Sequence, residues 1–443
     1  MSNSVTEPTP TDAGATRLAL HTVTARGISY LVALPGSIML ARGLGAADRG
    51  IYQLPVTTVT ILVYVSALGV PQALFRLWRP QRLDSFRRSS VRLTFMLGTA
   101  GIVLGIALYQ LGRYSLFEGV PALGFALVLA TLPALLYTSF ATSILIYVGG
   151  GSHVNVAAAL AIVFQSIAFI VLGAAGALTI TRTCAVFFCG TVLQSLWIAR
   201  HLRRVPPLVD GTDDSVGGQR LVGAGLAFQP YVVANFLLLR LDVFFLAHFS
   251  NDAEVGRYAV AVTLAELVWN VTDAIHLPAI ERASASDSVG EDGFRTVAVR
   301  MTLLLGASAT ALVAVVAPLV IPWVYGSDYA DAGWIVVALA PGMVMMALWR
   351  VTSLATLRFG HPAVQSSISI GALIINVVLN VALDPSFGAL GAATGSSIAY
   401  LVAAVVTTAW VVRRSNSSWI DLIPRRVDFQ RALKLPGQLL ART

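Results

Sequence analysis

Two ionisable residues lie inside a segment that is otherwise apolar. Arg240 and Asp242 interrupt the run FLLLRLDVFFLAHF at residues 236–249. A charged side chain at the centre of a bilayer costs about 2.5–3.5 kcal/mol on insertion scales, so charges at that depth pair with one another or line a cavity. On a helix, residues two apart diverge by about 200°. We therefore expect Arg240 and Asp242 to have different surroundings, and at least one of them to face a cavity.

A second group of polar residues has helical spacing. Four residues in the segment 255–280 are separated by four, three and three positions, which places them on one face of a helix. They are Glu266, Asn270, Asp273 and His276. A histidine three residues from a carboxylate can share a proton with it and titrate near neutral pH. Together with Asp242, this stripe predicts ion coupling. A permanent network of ion pairs without a role in transport is the alternative.

Two more arginines lie within apolar segments and, with Arg240, are candidates for binding an anion. Arg26 lies well inside the first segment, and Arg350 lies in the inner part of the tenth. Because Arg350 is near the end of its segment, its guanidinium can instead reach the membrane interface.

Three oxygen-bearing residues recur every four positions in the eleventh segment and its end: Asn376, Asn380 and Asp384. Aligned oxygen ligands such as those of Asn380 and Asp384 suit Na⁺, which is the one metal ion that the sequence suggests. Helix packing is the alternative, and it is favoured because Asp384 precedes Pro385 at a predicted helix end. The sequence predicts no cofactor.

Composition identifies the elements that position these charges. The 443 residues are 56% hydrophobic and 12% charged, whereas a soluble domain carries about 25% charge. Segments of about 20 apolar residues can cross a bilayer. Twelve such segments occur, at residues 18–41, 51–74, 93–111, 122–148, 154–174, 178–199, 221–248, 255–280, 300–324, 332–356, 363–383 and 388–412. The sequence therefore predicts an all-α polytopic membrane protein with twelve transmembrane helices.

Basic residues orient the predicted helices. With both termini in the cytosol, most of the 30 Lys and Arg residues fall in cytosolic segments, as the positive-inside rule requires. This topology accounts for the net charge of +8 without a nucleic-acid partner. We expect a multi-pass protein of the cytoplasmic (inner) membrane with both termini cytosolic. Its short outer loops leave no room for an external catalytic domain.

The two halves of the sequence align with each other at fixed offsets. Two pairs of segments align, at offsets of 206 and 212: residues 43–76 with 249–282, and residues 176–188 with 388–400. In the first pair, Gly50 lies opposite Gly256 and Tyr52 lies opposite Tyr258. Transporters are often built from such repeats, with the substrate site at the repeat interface near the midplane. The alignment predicts two pseudo-symmetric six-helix bundles around a central cavity.

The predicted domain organisation has five parts. They are a disordered cytosolic N-terminal tail (1–16), an N-terminal six-helix bundle (17–199), a cytosolic linker (200–220), a C-terminal six-helix bundle (221–412) and a basic cytosolic C-terminal tail (413–443). The first helix of each bundle contains a proline, which removes a hydrogen bond and kinks a helix. We therefore expect hinges at Pro35, Gly36 and Pro230, with static packing kinks as the alternative.

Four motifs carry a family resemblance. They are ARGLGAADRGIY (41–52), RLDVFFLAHFSNDAEVGRYAVAVTLAELVW (240–269), YGSDYADAGWIVVALAPG (325–342) and LNVALDPSFGALGAATGSSIAY (379–400). Through them, residues 17–414 resemble the polysaccharide-transport branch of the multidrug/oligosaccharidyl-lipid/polysaccharide exporter superfamily. This branch contains the O-antigen and lipid-linked oligosaccharide flippases.

The resemblance implies a flippase that moves a polyprenyl-pyrophosphate-linked oligosaccharide, or a related lipid-linked glycan, from the inner to the outer leaflet by alternating access. It implies an arginine-bearing cavity for the anionic head group, and Arg26 occupies a matching place in the first helix. The expected partners are the glycan substrate, membrane lipids and a glycan polymerase or glycosyltransferases of the same pathway. The alternatives are a multidrug/cation antiporter of the same fold and a membrane-embedded glycosyltransferase or ligase.

Overall fold

A computed structural model describes residues 12–206, 216–266, 291–359, 362–414 and 418–430. Side chains are described in these ranges except at residues 12–31, 291–298, 354–359 and 362. The described residues form helices, turns and connections and contain no strand. The predicted all-α class is therefore confirmed.

The described residues form a series of α-helices. In chain order they are α1 (Asp12–Ser66), α2 (Val70–Leu77), α3 (Leu83–Gly112), α4 (Ala122–Leu129), α5 (Leu132–Tyr147), α6 (Gly151–Ala174), α7 (Ile180–Arg204), α8 (Gly218–Leu226), α9 (Gln229–Arg240), α10 (Asp242–Phe249), α11 (252–266), α12 (Glu291–Tyr325), α13 (Ala332–Phe359) and α14 (Pro362–Arg414). We refer to α1–α7 as the N-terminal half and to α8–α14 as the C-terminal half.

Several of these helices can cross a membrane. Among the described residues, eight stretches are long and apolar enough, and the bent pair α8 and α9 makes a ninth. Two of the eight span more than one predicted segment: Val32–Leu77 contains 51–74 and the end of 18–41, and Ala363–Arg414 contains both 363–383 and 388–412. The backbone leaves the helical region within them at Gly45 (φ 76°) and Gly388 (φ 54°). Positive φ favours glycine, and both glycines lie where one predicted segment gives way to the next.

The long helix α14 is a hairpin folded at Gly388. A Cβ on Gly391 would lie 2.8 Å from the carbonyl carbon of Leu383, and the side-chain amide of Asn376 donates to the hydroxyl of Ser396 at 3.1 Å. The two arms of α14 therefore pack against each other. Gly176, at the position equivalent to Gly388 under the offset of 212, also has positive φ, 60°, which supports the repeat.

The predicted hinge residues lie in two different settings. Pro230 lies at the start of α9, whose axis is bent by 63° from that of α8. Pro35 and Gly36 lie inside α1, where the non-helical dihedrals occur at Gly45, and the hinges stay predictions. A Cβ on Gly36 would lie 2.7 Å from Cα of Ser166. Close packing on α6 therefore supports the helix through Pro35, because tertiary contacts can compensate for a proline in a transmembrane helix.

The outward-facing surfaces of the helices carry large apolar side chains. Phe95, Leu111 and Trp323 expose 78%, 83% and 81% of their areas. Large contiguous apolar surface is unfavourable in water, whereas hydrocarbon solvates it. This surface and the apolar stretches are those of a polytopic membrane protein.

A short segment after α14 packs against α12. The guanidinium of Arg300 donates through Nε to the carbonyl of Asp421 at 2.5 Å, and its Nη1 lies 3.9 Å from Oδ2 of Asp428. Arg300 and Asp428 are both buried. Because burying one of these charges alone is costly, the pair ties residues 418–430 to α12.

Candidate functional site: a charged cavity between the two halves

A cavity of about 360 Å³ lies between α1 and the helices α9 to α11. The α1 wall carries polar side chains with the spacing of one helix face: Gln53, Thr57, Thr60 and Tyr64. The opposite wall carries two charged residues, Arg240 and Glu266, among apolar ones. The cavity therefore offers hydrogen-bonding groups on one side and a charged pair on the other.

The two charges in the cavity form an ion pair. Nη1 of Arg240 lies 2.8 Å from Oε1 of Glu266, and the two side chains are 28% and 26% exposed. Glu266 therefore compensates the charge of Arg240 at a depth where an unpaired charge would be costly. Because both head groups keep some exposure, an anion that enters the cavity can compete with Glu266 for Arg240.

One end of the cavity is closed by two glycines, which we call the Gly50 closure. A Cβ on Gly50 would overlap the carbonyl oxygen of Asp252, and a Cβ on Gly256 would overlap that of Ala46. The backbones of α1 and α11 therefore touch. On the same side, Nε and Nη2 of Arg42 donate to the carbonyls at the end of α12, at 2.8 and 2.7 Å.

The other end is closed around Gly69, which we call the Gly69 closure. A Cβ on Gly69 would overlap the carbonyl oxygen of Gly225. The rings of Tyr64 and Phe236 stack with centroids 3.9 Å apart, and the side-chain amide of Gln229 donates to the Tyr64 carbonyl at 3.0 Å. Along α1 the cavity lies between the two closures, so the halves enclose it from both ends.

Asp242 points away from the ion pair, into the core of the C-terminal half. It is fully buried and accepts hydrogen bonds from the hydroxyls of Tyr258 at 2.5 Å and Ser396 at 2.6 Å. The side-chain amide of Asn380 donates to it at 3.2 Å. The predicted divergence of Arg240 and Asp242 is therefore confirmed. Tyr258 also lines the cavity, so it connects the two sites.

Further buried oxygens continue along α14. Within the described part of the chain, no hydrogen-bond partner reaches either carboxylate oxygen of Asp384 or the amide oxygens of Asn376 and Asn380. All three residues are fully buried. A buried carboxylate without a partner is strongly unfavourable, and oxygen ligands of this kind suit hard cations. The site therefore fits a bound cation, or a proton on Asp384.

The ligands of the Asp384 site do not suit a transition metal. The described residues contain no group of three or more His, Cys, Asp or Glu side chains that could hold a metal ion. The Asp384 site offers oxygen atoms only, and such ligands prefer hard cations to Zn²⁺ or Cu²⁺.

The remaining predicted residues lie elsewhere or beyond the described regions. Arg350 is exposed on α13 and lies near Tyr231 of α9. Arg26 is on α1, but its side chain is not among those described. Three members of the predicted ion-coupling stripe fall outside the described residues: Asn270, Asp273 and His276. Their predicted roles, like that of Arg26, stay predictions.

Sequence reasoning missed the wall of the cavity on α1 and the hydrogen-bond donors to Asp242. The signal for the first is the helical spacing of Gln53, Thr57 and Thr60 in QLPVTTVT. For Ser396 the sequence offers a weaker signal, because a serine hydroxyl in an apolar helix often bonds to the backbone of its own helix.

The fold is that of transporters. A multidrug resistance MATE family transporter of the MOP superfamily, in an outward-facing conformation, matches with a TM-score of 0.63 and 18% identity, over 91% of this chain and 95% of that chain. The lipid II flippase MurJ, in an inward closed conformation, matches with a TM-score of 0.63 and 12% identity, over 95% and 91%. A MOP superfamily transporter from Pyrococcus furiosus matches with a TM-score of 0.59 and 18% identity, over 91% of this chain and 95% of that chain.

A curated relative is a flippase. The probable low-salt glycan biosynthesis flippase Agl15 from Haloferax volcanii is 20% identical over 178 residues, which are 39% of this chain and 38% of that protein. No family model matches the chain. The chain has the fold of the MOP superfamily, which is the superfamily that its motifs predict. These similar proteins are transporters and flippases, as expected for a transporter rather than an enzyme.

Proposed function

We propose that this protein is a flippase that moves a polyprenyl-pyrophosphate-linked oligosaccharide, or a related lipid-linked glycan, from the inner to the outer leaflet of the cytoplasmic membrane. The observation that carries the proposal is the Arg240–Glu266 ion pair in a cavity between the two halves. The curated glycan flippase and the lipid II flippase of similar fold support the class of substrate.

The anionic head group binds by exchange. In the empty cavity Glu266 neutralises Arg240. A pyrophosphate brings more negative charge and more acceptor oxygens than one carboxylate, and arginine binds such groups through paired hydrogen bonds. It therefore displaces Glu266, and the hydroxyl and amide groups of Gln53, Thr57 and Thr60 can bind the first sugar. Arg26 and Arg350 are further candidates for the phosphates.

The cargo requires the halves to separate. Ligand pockets span roughly 300–1,000 Å³, and the cavity, at about 360 Å³, is too small for a lipid-linked oligosaccharide. We therefore assign the structure to the closed step of an alternating-access cycle. Opening at the Gly69 closure admits the head group from one side, and opening at the Gly50 closure releases it on the other. Pro230, at the 63° bend of α8 and α9, is the proposed hinge.

A cation site supplies the coupling. Asn380 donates to Asp242 at 3.2 Å, and Asp384, one helical turn further along α14, is near enough for the Asp242 carboxylate to repel its own. Na⁺ or a proton relieves this repulsion. Since Asp242 also accepts from Tyr258, which lines the cavity, a cation that changes Asp242 changes the cavity wall. Binding to only one of the two conformations is sufficient to bias the cycle.

A multidrug/cation antiporter is the second candidate, because MATE transporters share the fold and the cavity also contains a carboxylate. In an antiporter, Glu266 binds the cationic substrate and Arg240 is released from the ion pair. In a flippase, Arg240 binds the anionic substrate and Glu266 is released. The enzyme alternative, a glycosyltransferase or ligase, gains no support from the proteins of similar fold.

The test measures transport in proteoliposomes. The substrate is a short polyprenyl-pyrophosphate saccharide that carries a fluorescent sugar, and a quencher added outside the vesicles reports how much of it is in the outer leaflet. We expect Arg240→Gln to lower the rate at least tenfold, since the head group loses its cation. Arg182→Gln is the control, because Arg182 is an exposed arginine that bonds to the Ala177 carbonyl. An unchanged rate in Arg240→Gln overturns the proposal. If Glu266→Gln no longer binds an organic cation while Arg240→Gln binds it normally, the protein is an antiporter instead.

A further inference from the structure

A second cavity lies on the other side of the N-terminal half. It has a volume of about 520 Å³ and lies between α3, α5 and α7, whereas the central cavity lies between the halves. Two of the residues on its α3 wall are strongly exposed, Val91 at 57% and Phe95 at 78%. This cavity, which we call the α3 groove, is therefore open to the surroundings of the bundle.

The α3 groove has one charged end and one apolar end. Arg87 and Arg203 line it at one end. Along α3 the lining continues to Ile102, fifteen residues beyond Arg87. At 1.5 Å per residue this is about 22 Å, which matches half of a hydrocarbon core of about 30 Å plus a head-group layer. The dimensions and the order of chemistry are those of one lipid molecule in one leaflet.

Polar atoms in the groove wall are without partners in the described part of the chain. The Nη atoms of Arg87 are engaged with Asp84 and with the carbonyls of Leu202 and Val205. Its Nε, however, is buried and has no hydrogen-bond partner among the described residues, and the same holds for the hydroxyl of Thr94. Buried donors are normally satisfied. The two residues lie about 10 Å apart along α3, so each donor requires an acceptor of its own.

The electrostatics favour an anion. The charge of Arg87 is offset by Asp84 at 2.9 Å, whereas Arg203 is exposed at the end of α7, among the last residues of that helix. The carboxylate of Asp84 is not among the groove-lining residues. One net positive charge therefore lies at one end of an apolar slot.

We propose that the α3 groove binds an anionic phospholipid, with its phosphate at Arg87 and Arg203 and an acyl chain along Phe95, Pro133 and Ile102. The lipid bridges α3, α5 and α7 and stabilises the N-terminal half. It is a structural ligand of the leaflet on the Arg87 side, separate from the cargo in the central cavity. The inference does not depend on the proposed flippase activity.

The test measures lipid binding to the purified full chain in detergent, by native mass spectrometry and by thermal unfolding. We expect phosphatidylglycerol to bind at least fivefold more tightly than phosphatidylcholine and to raise the melting temperature by several degrees. Arg203→Gln removes this preference while leaving phosphatidylcholine binding unchanged. The matched control is Arg204→Gln, since Arg204 is the exposed neighbour outside the groove lining.

A second variant tests the apolar slot. Thr99→Trp fills the groove and should reduce binding of both lipids at least fivefold, whereas Ala107→Trp, on the exposed face of α3 outside the groove, should not. Equal binding of the two lipids to the unmodified protein overturns the proposal, as does an unchanged preference in Arg203→Gln. Displacement of the lipid by millimolar glycerol phosphate also overturns it, because the site is then one for free anions.

Discussion

Gly50 and Gly256 touch across the boundary between the two halves, each placed against the backbone of the other's helix. Gly50 faces the carbonyl of Asp252, and Gly256 faces the carbonyl of Ala46, and neither position has room for a Cβ atom. The offset of 206 that relates Gly50 to Gly256 also relates Ala46 to Asp252. The contact is therefore the same from both sides, as in the isologous contact of a two-fold dimer.

Gly256→Ala should weaken the Gly50 closure. An added methyl group at a tight contact costs roughly 1–3 kcal/mol, which separates the helices on that side. We expect a cysteine placed at Thr57, which is 2% exposed in the cavity wall, to react at least fivefold faster with a membrane-impermeant maleimide. The background has alanine at both native cysteines, Cys184 and Cys189.

Gly371→Ala is the control for this experiment, because a Cβ at Gly371 meets nothing within 4 Å. Its labelling rate should equal that of the parent protein. Equal rates for Gly256→Ala and Gly371→Ala would show that the glycine contact does not limit access to the cavity.

Tyr258→Phe should destabilise the C-terminal half. The variant removes the hydroxyl that donates to Asp242 at 2.5 Å, and a hydrogen bond to a charged group contributes about 1.5–3 kcal/mol. The measurement is thermal unfolding in detergent, followed by fluorescence-detected size exclusion. Tyr400→Phe is a matched control, because the Tyr400 hydroxyl donates to the neutral carbonyl of Leu238 at 3.4 Å. If the melting temperature of Tyr258→Phe falls no further than that of Tyr400→Phe, the result contradicts a stabilising hydrogen-bond network around Asp242.

Sodium should stabilise the protein through Asp384. A ligand at one hundred times its dissociation constant adds about 2.7 kcal/mol to the free energy of unfolding. We expect a higher melting temperature in NaCl than in choline chloride at equal ionic strength, and no such difference in Asp384→Asn. Asp331→Asn is the control, since its side chain is 69% exposed. Stabilisation by acid in place of sodium assigns a proton to the site, and a response to neither removes the cation site.

Arg300→Gln should release the segment 418–430. The substitution removes a guanidinium that lies 3.9 Å from buried Asp428 and donates to the carbonyl of Asp421, and breaking a buried ion pair is destabilising. We expect trypsin to cut at Arg425 and Arg426 at least fivefold faster, measured as the loss of a C-terminal tag. Arg413→Gln, an exposed change on α14, should leave the rate unaltered. Equal rates in the two variants would mean that the segment does not depend on Arg300.

Elements set by local pattern are predictable from this sequence. The apolar runs indicate the helices, and helical geometry alone separates the surroundings of Arg240 from those of Asp242. The aligned glycines are visible as a repeat, because Gly50 and Gly256 are glycine for the same steric reason in both halves. These features depend on neighbours close in sequence or on identical residues at a fixed offset.

Features set by packing between distant segments are harder to predict. The sequence predicts a hinge at Pro35 and Gly36, but it does not indicate that Gly36 packs against Ser166 of another helix. It marks Asp242 as a candidate for ion coupling without indicating its donors, and two of those donors come from α14, which lies more than a hundred residues away. A sequence pattern identifies which residues are polar and buried, but the pairing depends on how the helices meet.

The Gly50 and Gly69 closures each contain a contact between peptide backbones, and backbone atoms are common to every amino acid. Side chains in the wall, such as Gln53 and Thr57, can therefore be exchanged for others while the seal at either end stays the same. Substrate selectivity and conformational change are then separable properties of this scaffold. The cavity wall can be redesigned for a cargo of different chemistry without changing the two closures.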